Sequence, residues 1–487
     1  MRAAEEAAFA RGSSAEKLMD EAGRGVARTI QQFFPRPGHC IVFAGKGNNA
    51  GDALVAAAEL QRAGWEITVR TPFAESEWGD LCRKKAMELH DAAAPKRAGE
   101  IRKLIVLDGL LGTGSKLPLR DPVRKTCAEI NRLRTESSAY IFALDVPTGL
   151  DSDSGETDAD AVRADFTIAI GAVKHGLVAD RALEFVGRLE VVPLTAVRFD
   201  NLQCAAAIGC RATLRHLMPR RNFGGYKNQY GRVGIVAGSK GLTGASILCS
   251  LGALRGGAGL VDIFVPEEIY EVVAASAPPE VMVKPVRSYL DSEPPPVDVW
   301  AIGPGLGQSH KEEVLELIRR TPQPMVLDAD ALTLVSKKMS LLEKPAGPRL
   351  LTPHPGEMKR LFPEANLSRA EIARRFTDQY PVTLLLKGSR TIVAENGSAL
   401  NYNSTGNPGM ATGGIGDTLT GVCASLIAQG LTPYDAARVG AWACGRAAEF
   451  AIFNGDESEE SLIARDVSEH LGVAFRELHD ANLPALD

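Results

Sequence analysis

Short apolar runs, each long enough for one buried strand and each closed by a Gly-rich or acidic loop, recur along the whole 487-residue chain. A strand covered on both faces reads as a continuous apolar run, and two parallel strands need a crossover connection, usually a helix. The pattern therefore predicts an α/β protein built on doubly wound, mostly parallel sheets. In the first half the strand-like runs are residues 41–44, 67–69, 103–107, 141–144, 166–170 and 191–194. In the second half they are 233–237, 261–265, 299–302, 325–327, 350–351, 382–386 and 391–394. Helical periodicity marks 14–30, with Leu18, Met19, Ala22, Val26 and Ile30 on one side, and then 53–62, 245–255, 417–429 and 433–453. The length exceeds one ordinary core, so two to three domains are expected. Residues 195–219 have mixed polarity without strand alternation, and the boundary is assigned there. The Pro-rich stretch 278–296 reads as a loop or an edge.

Composition removes several classes of function. The net charge is −5 with no long basic run, which argues against a general nucleic-acid or anionic-membrane binder. The eight cysteines form no C-x-x-C pair and read as buried thiols in a reducing compartment. No apolar run is long enough to span a bilayer, and the acidic start has no apolar signal region. A soluble cytoplasmic protein is the expectation.

Ligands of open α/β sheets bind beyond the carboxyl ends of the strands, so the loops there are the candidates. The first, GKGNNAGD at 45–52, is neither G-x-G-x-x-G nor a P-loop, but Asn48 and Asn49 add amide groups beside it. Asp108 and Asp145 each end a strand. With Asn49 they form an oxygen set suited to a hard cation or to proton transfer. The plainer alternative is that each Asp caps a turn. Lys174 and His175 read either as phosphate contacts or as a solvated turn, His175 more readily as the latter.

In the second half the richest stretch is NPGMATGGIGDTLTG, residues 407–421. Gly413, Gly414 and Gly416 permit positive φ ahead of a helix whose first N–H groups form an anion site. Asp417 there is either a helix cap or a base that activates a hydroxyl. Lys387 and Arg390 can bind phosphate, and Gly388 lets the backbone approach it. His354, between two prolines, is either a ligand contact or a capped-turn histidine. Asp328 and Asp330 read as a structural turn more readily than as metal ligands.

These motifs carry a resemblance. LMDEAG (18–23), GKGNNAGD, DGLLGTG (108–114) and DVPTGLD (145–151), over residues 1–205, resemble the NAD(P)H-hydrate epimerase domain. ALRGGAGLV, GPGLG, LDADAL, LTPHPGE, KGSRT and the 407–421 stretch, over residues 210–487, resemble the ADP-dependent NAD(P)H-hydrate dehydratase domain. Their order and spacing make the match specific, and the pair is similar to the fused bacterial repair enzymes. The resemblance implies a Rossmann-like first domain and a ribokinase-like second one. It implies epimerisation of the R and S hydrates of NADH and NADPH, then dehydration of the S form at the expense of ADP, giving NAD(P)H, AMP and phosphate.

By the same resemblance Asp108 is the epimerase acid/base, and Asn49, Asp108 and Thr148 hold K+. Epimerase substrate contacts fall on Asn48, Asn49, Ala50, Gly51 and Asp52, on Gly112, Thr113, Gly114, Ser115, Lys116, Leu117 and Pro118, and on Asp145. Dehydratase substrate contacts fall on Ala258, Gly305, Gly307, His354 and Asp417, with Asp417 as the base. Nucleotide contacts fall on Lys387, Gly388, Ser389, Arg390, Thr391 and Gly416. ADP is the co-substrate, Mg2+ is expected because phosphoryl transfer commonly uses it, and the expected partners are small molecules in a homo-oligomer, without nucleic acid or membrane. The chain departs from the family pattern at Ala50 and Ala53, where glycine is usual and a methyl is expected to narrow backbone access to phosphate. It departs also at Tyr226, Lys227 and Asn228, where His-Lys-Gly is usual. Two other readings are a ribokinase-like small-alcohol kinase with a non-catalytic nucleotide-binding first half, and a first half that only senses a nucleotide or mediates assembly.

Overall fold

The computed structural model describes residues 1–90, 103–199, 204–290 and 296–480. The chain divides into two compact units, Met1–Gln203 and Cys204–Leu483. Both carry the parallel α/β architecture that the sequence predicts.

The first unit is built on β1 (His39–Ala44), β2 (Glu66–Arg70), β3 (Leu104–Gly109), β4 (Tyr140–Leu144), β5 (Phe166–Ile170) and β6 (Arg188–Val192). They form one parallel sheet in the order β2-β1-β3-β4-β5-β6. Side chains alternate across a strand, so each strand feeds two cores. Ile41, Phe43, Val106 and Ile141 pack with Val123, Cys127 and Ile130 of the helix Val123–Glu136. On the other face Phe142 stacks on Phe166 at 4.5 Å, and Phe166 meets Phe33 of the helix Ala15–Phe33 at 4.7 Å. Strand order reverses between β1 and β3, which opens a crevice at their carboxyl ends. Asn49 follows β1, and Asp108 lies within β3 opposite Phe43 of β1.

The second unit contains β7 (Ala206–Gly209), β8 (Arg232–Val236), β9 (Leu260–Pro266), β10 (Met282–Val286), β11 (Val299–Ile302), β12 (Met325–Leu327), β13 (Arg349–Leu351), β14 (Thr383–Leu386), β15 (Ile392–Ala394) and β16 (Leu400–Asn403). The sheet order is β10-β9-β8-β11-β12-β13-β14-β15-β16-β7, parallel from β10 to β14, with β15 antiparallel to both of its neighbours. Its reversal falls between β8 and β11. One face is covered by the helices Thr243–Arg255, Ile415–Ala428, Pro433–Phe453 and Ala464–His479 in a single large core. The helix Ile415–Ala428 is buried along almost its whole length, which explains its weak amphipathic pattern.

Several boundaries differ from expectation. The helix after β1 spans Asn48–Arg62, so most of the expected glycine loop is its first turns. The helix carrying Asp417 starts at Ile415. The stretch read as a join contains β7, which pairs with β16; its four residues gain strand identity from that partner rather than from alternation. Residues 200–203 of that join lie outside the described residues. The Pro-rich stretch contains β10, an edge strand, where Pro285 is tolerated because one side needs no ladder bond. Residues 291–295 of that stretch lie outside the described residues. Among the described residues no helix is long and apolar enough to cross a membrane.

The helices Thr243–Arg255 and Ile415–Ala428 meet backbone to backbone. A Cβ on Gly421 would stand 1.9 Å from the Cys249 carbonyl oxygen, and one on Gly252 would stand 2.2 Å from that of Thr418. Gly421→Ala would gain about 1 kcal/mol of helix propensity but must separate two packed backbones, and overpacking costs about 1–3 kcal/mol. The clash wins: Gly421→Ala is expected to lower the denaturant midpoint of the second unit's transition, followed by circular dichroism.

Candidate active sites

In the first unit β3 carries Asp108 into the crevice at zero exposure. Its carboxylate takes three neutral donors: Thr148 N at 2.8 Å, Thr148 Oγ1 at 2.8 Å and Leu110 N at 3.2 Å. Burial pushes its pKa up to about 6, and the bonds from Thr148 and Leu110 hold it from rising further. Thr148 Oγ1 also accepts from Leu111 N at 3.2 Å, and Asn49 Nδ2 donates to Leu111 O at 3.0 Å. Asn49, Asp108, Thr148 and the Leu111 backbone are thus one connected cluster. Asn49 Oδ1 is buried with no hydrogen-bond partner among the described residues.

Asp145 is not in that cluster. Its φ is +63°, and its carboxylate takes the Lys174 ammonium and Ile170 N. Lys174 is the counter-ion of Asp145 and is nine-tenths buried, so it is not a solvated side chain. His175 is exposed on its turn. Asp52 lies near this pair; burial first, then the Asp145 charge, raises its pKa well above the carboxylate range. The third oxygen beside Asn49 and Asp108 comes from Thr148, not from Asp145.

The first-loop expectations change in detail. Gly51 serves helix packing: a Cβ would lie 2.4 Å from Met19. The Ala53 methyl faces β3, where a Cβ on Gly109 would come within 2.5 Å of it, and Ala50 is fully buried. Neither methyl has any exposed surface to offer a ligand. Asn48 is exposed at the helix start. Gly112 lies against Asn49, while Thr113, Gly114 and Lys116 are exposed and Ser115 is half-buried, its hydroxyl without a partner among the described residues. Lys116, Leu117 and Pro118 line a cavity of about 520 Å³, together with Lys46, Phe73 and Arg120, which sequence reasoning missed.

In the second unit the helix Ile415–Ala428 begins at Gly414, whose φ of +88° turns the chain into it. Gly414 brings no side chain to cap the first turn. Of the three glycines expected to take positive φ, only Gly414 does. Gly416 is helical, and a Cβ there would stand 3.2 Å from Lys387 Nζ and 3.5 Å from Asp328 Oδ2. Asp417 is the third helical residue, so it is not the N-cap. Burial and the Asp328 charge raise its pKa to about 7, against the opposing pull of Lys387.

Asp328 itself is 1% exposed. It accepts from Lys387 Nζ at 2.7 Å and from Thr420 Oγ1 at 2.9 Å. Sequence reading passed it over as a turn, although it ends an apolar strand as Asp108 and Asp145 do. Asp330 accepts from Gly307 N at 2.8 Å and so fixes the loop after β11. Gly305 (φ +56°) and Gly307 (φ +70°) lie in that loop, and Ser239 of the loop after β8 donates to Gly305 O at 2.9 Å. These two loops flank the strand-order reversal.

Lys387 follows β14, with Gly388 at φ +145° and Arg390 at φ +59°. Arg369 donates to Ser389 O at 2.9 Å and braces this loop, while Thr391 Oγ1 donates to Gly388 O at 3.2 Å. His354 is a helix cap: its Nδ1 accepts from Gly356 N at 3.0 Å, and Glu357 accepts from its backbone N at 2.8 Å. The imidazole remains half-exposed beyond β13. Strand direction puts Gly305, Gly307, His354, Lys387 and Asp417 on one rim. Ala258 precedes β9 and lies at the opposite, amino-terminal ends of the strands. It is not brought together with the others.

Comparisons with known proteins find relatives of both units. Residues 15–176 match the family described as YjeF-related protein N-terminus, and residues 233–465 match the one described as NAD(P)H-hydrate dehydratase. A bifunctional NAD(P)H-hydrate repair enzyme of Moorella thermoacetica is 35% identical over 95% of this chain and 93% of its own. Another from Coxiella burnetii is 32% identical over 97% of both chains. A hypothetical protein of Streptococcus mutans, known as a crystal structure, shares the fold with a TM-score of 0.50 at 22% identity, over 56% of this chain and all of its own.

The raised proton affinity of Asp417 has a consequence for stability. The folded state binds this proton more tightly than the unfolded chain, whose carboxyl titrates near 3.8. The contribution is present below that pH and is lost as the pH rises to about 7. Asp417→Asn removes the penalty of a buried charge. It is expected to raise the melting temperature at pH 8, with the gain shrinking steadily towards pH 5, measured by calorimetry at matched ionic strength.

Proposed function

Since the chain belongs to the family of bifunctional NAD(P)H-hydrate repair enzymes, we propose that the two candidate sites carry the two halves of one repair. The chain is an enzyme that restores hydrated NADH and NADPH: its first unit interconverts the R and S hydrates and its second dehydrates the S form. The small-alcohol kinase reading is not favoured, because relatives bearing the repair name match across both halves.

In the first unit Asp108 protonates the departing 6-hydroxyl while the ring nitrogen supplies electrons. Water then returns to either face, and Asp108 takes a proton back. Burial among neutral donors, which raises the proton affinity of this carboxyl, supports that role. Asn49, Asp108 and Thr148 fit K+: their donors are oxygens, and Asn49 Oδ1 is buried without a partner. Bound there, K+ would supply positive charge beside the Asp108 carboxylate. The loop from Gly112 to Pro118 and its cavity, with Asn48 at the helix start, contact the substrate.

In the second unit Asp417 takes the proton from the S hydrate's hydroxyl, and the oxygen attacks the terminal phosphoryl group of ADP. The P–O bond to AMP breaks. The phosphate now on the ring is a good leaving group, and its departure with loss of a ring proton restores the dihydronicotinamide. Lys387, Gly388, Ser389, Arg390, Thr391 and Gly416 contact the nucleotide; Gly305, Gly307 and His354 contact the hydrate. One observation carries this reading: an uncapped helix start, with an ammonium against Gly416 and a carboxyl at Asp417 whose pKa is about 7. Among the described residues no three His, Cys, Asp or Glu side chains form a metal cage. Mg2+ would be held chiefly by the nucleotide phosphates and would supply positive charge to the transferring phosphoryl group.

Mixed R and S NADH hydrate, supplied with ADP and K+, tests both halves by NADH absorbance. Complete recovery is expected from the wild type. Asp417→Ala should abolish it, and Asp108→Ala should recover only the S half, with R clearance falling by about 10²–10⁴-fold. Recovery of R by Asp108→Ala at the wild-type rate would remove Asp108 from its role. A stable phosphorylated product without free phosphate would replace the dehydratase by a kinase.

A further inference from the structure

Lys387 occupies an unusual position for a cation. Its ammonium lies at the amino-terminal end of the helix Ile415–Ala428, close enough that a Cβ on Gly416 would touch it at 3.2 Å. Helix amino termini carry partial positive charge, and Gly414 at the N-cap has no side chain to accept from this one's first N–H groups, which leaves Asp417 as the acidic group of its first turn. An ammonium there is repelled unless an anion holds it. Asp328 is that anion. It binds Lys387 Nζ at 2.7 Å from the buried side, and its second oxygen is fixed by Thr420 Oγ1 at 2.9 Å from the next turn of the same helix. At 1% exposure Asp328 has no surface to offer a nucleotide.

We propose that Asp328 is the positioning residue of the phosphoryl-transfer site: it pins the Lys387 ammonium beside the free helix start, so that both converge on the phosphate, and its charge keeps Asp417 a competent base. This rests on the reading of Asp417 as the hydroxyl-activating base. Two opposed demands meet at this point. Phosphate binding needs concentrated positive charge, but positive charge weakens a neighbouring carboxylate as a base. A buried anion behind the ammonium satisfies both. It leaves the forward side of the ammonium free for phosphate and offsets its field at Asp417.

The groups facing Asp417 are few. Asp328 comes from the loop after β12, Lys387 from the loop after β14 and the Cys249 thiol from the helix Thr243–Arg255. Cys423, further along Asp417's own helix, faces Asp328 and Lys387. Burial holds both thiols well above the usual range, so they stay neutral. Asp328 and Lys387 remain as the charges that set Asp417, with opposite signs.

The test is the pH profile of S-hydrate dehydration by the full chain with ADP, for wild type, Asp328→Asn, Lys387→Gln and Asp417→Asn. Asp328→Asn keeps the shape and removes the charge. Its acid limb in kcat should move down by about one pH unit, and its KM for ADP should rise by roughly tenfold. Lys387→Gln should move the acid limb up and raise the same KM. A residue that merely supports the fold would lower kcat and leave the limb where it is. A wild-type limb or a wild-type KM in folded Asp328→Asn overturns the proposal. If that variant does not fold, an unmoved limb in Lys387→Gln overturns it and an upward shift supports it. Asp417→Asn separates the two claims: wild-type turnover there removes the base reading itself, whereas an inactive Asp417→Asn with an unmoved Asp328→Asn limb removes only the role of Asp328.

Discussion

Taking a carboxylate out of water is expensive, and the local structure of each site follows from how that cost is met. In the first unit Asp108 is wholly buried, and three neutral donors from Thr148 and Leu110 surround it. Neutral donors stabilise the anion only in part, so the carboxyl still holds its proton up to about pH 6. In the second unit Asp328 is as deeply buried but has a full counter-charge in Lys387 and a hydroxyl from Thr420. Asp417 lies beside that pair, makes no ion pair of its own among the described residues and feels Lys387 only at a distance, and its pKa rises to about 7. A fully compensated charge stays a charge and organises its surroundings. A partly compensated one becomes a proton carrier.

Parallel topology explains why these carboxyls gather at strand ends. Inside a parallel sheet both faces are covered, and a polar side chain there has nowhere to go. At the carboxyl end the chain leaves the sheet, loop N–H groups become available, and the next helix presents its amino terminus. Asp108, Asp145 and Asp328 each end or follow an apolar strand, and each is met differently: by loop donors, by Lys174 and by Lys387. The same position yields a proton-transfer candidate, an ion pair, and an anchor for a phosphate-binding lysine.

That difference marks where sequence reading stops. The strands announced themselves, because runs such as those of β1, β5 and β14 are apolar throughout and closed by glycine or charge. Asp108 and Asp417 were readable because their motifs are dense in glycine and keep a fixed order. Asp328 and Lys174 were not. Their roles depend on partners 59 and 29 residues away, and no local pattern encodes which lysine closes on which aspartate. The glycines show the same limit. Gly51, expected in a loop, and Gly416, expected to permit positive φ, are helical positions kept small for Met19 and for the Lys387 ammonium. Ala258, grouped with the hydrate contacts by its motif, lies at the amino-terminal ends of the strands, since a motif carries no information about which rim a residue reaches.

The proton affinities then bear on the order of events. A base near pH 7 is about half ionised at neutrality, and each further negative charge brought near it raises its affinity again. An ADP phosphate is such a charge. Left uncompensated, nucleotide binding would protonate Asp417, the group proposed to accept the substrate's proton. Lys387 and the uncapped helix start lie where they can absorb that charge, and Asp328 keeps Lys387 from instead neutralising Asp417 in the absence of nucleotide. The ammonium is thus shared between a buried partner that is always present and a phosphate that comes and goes.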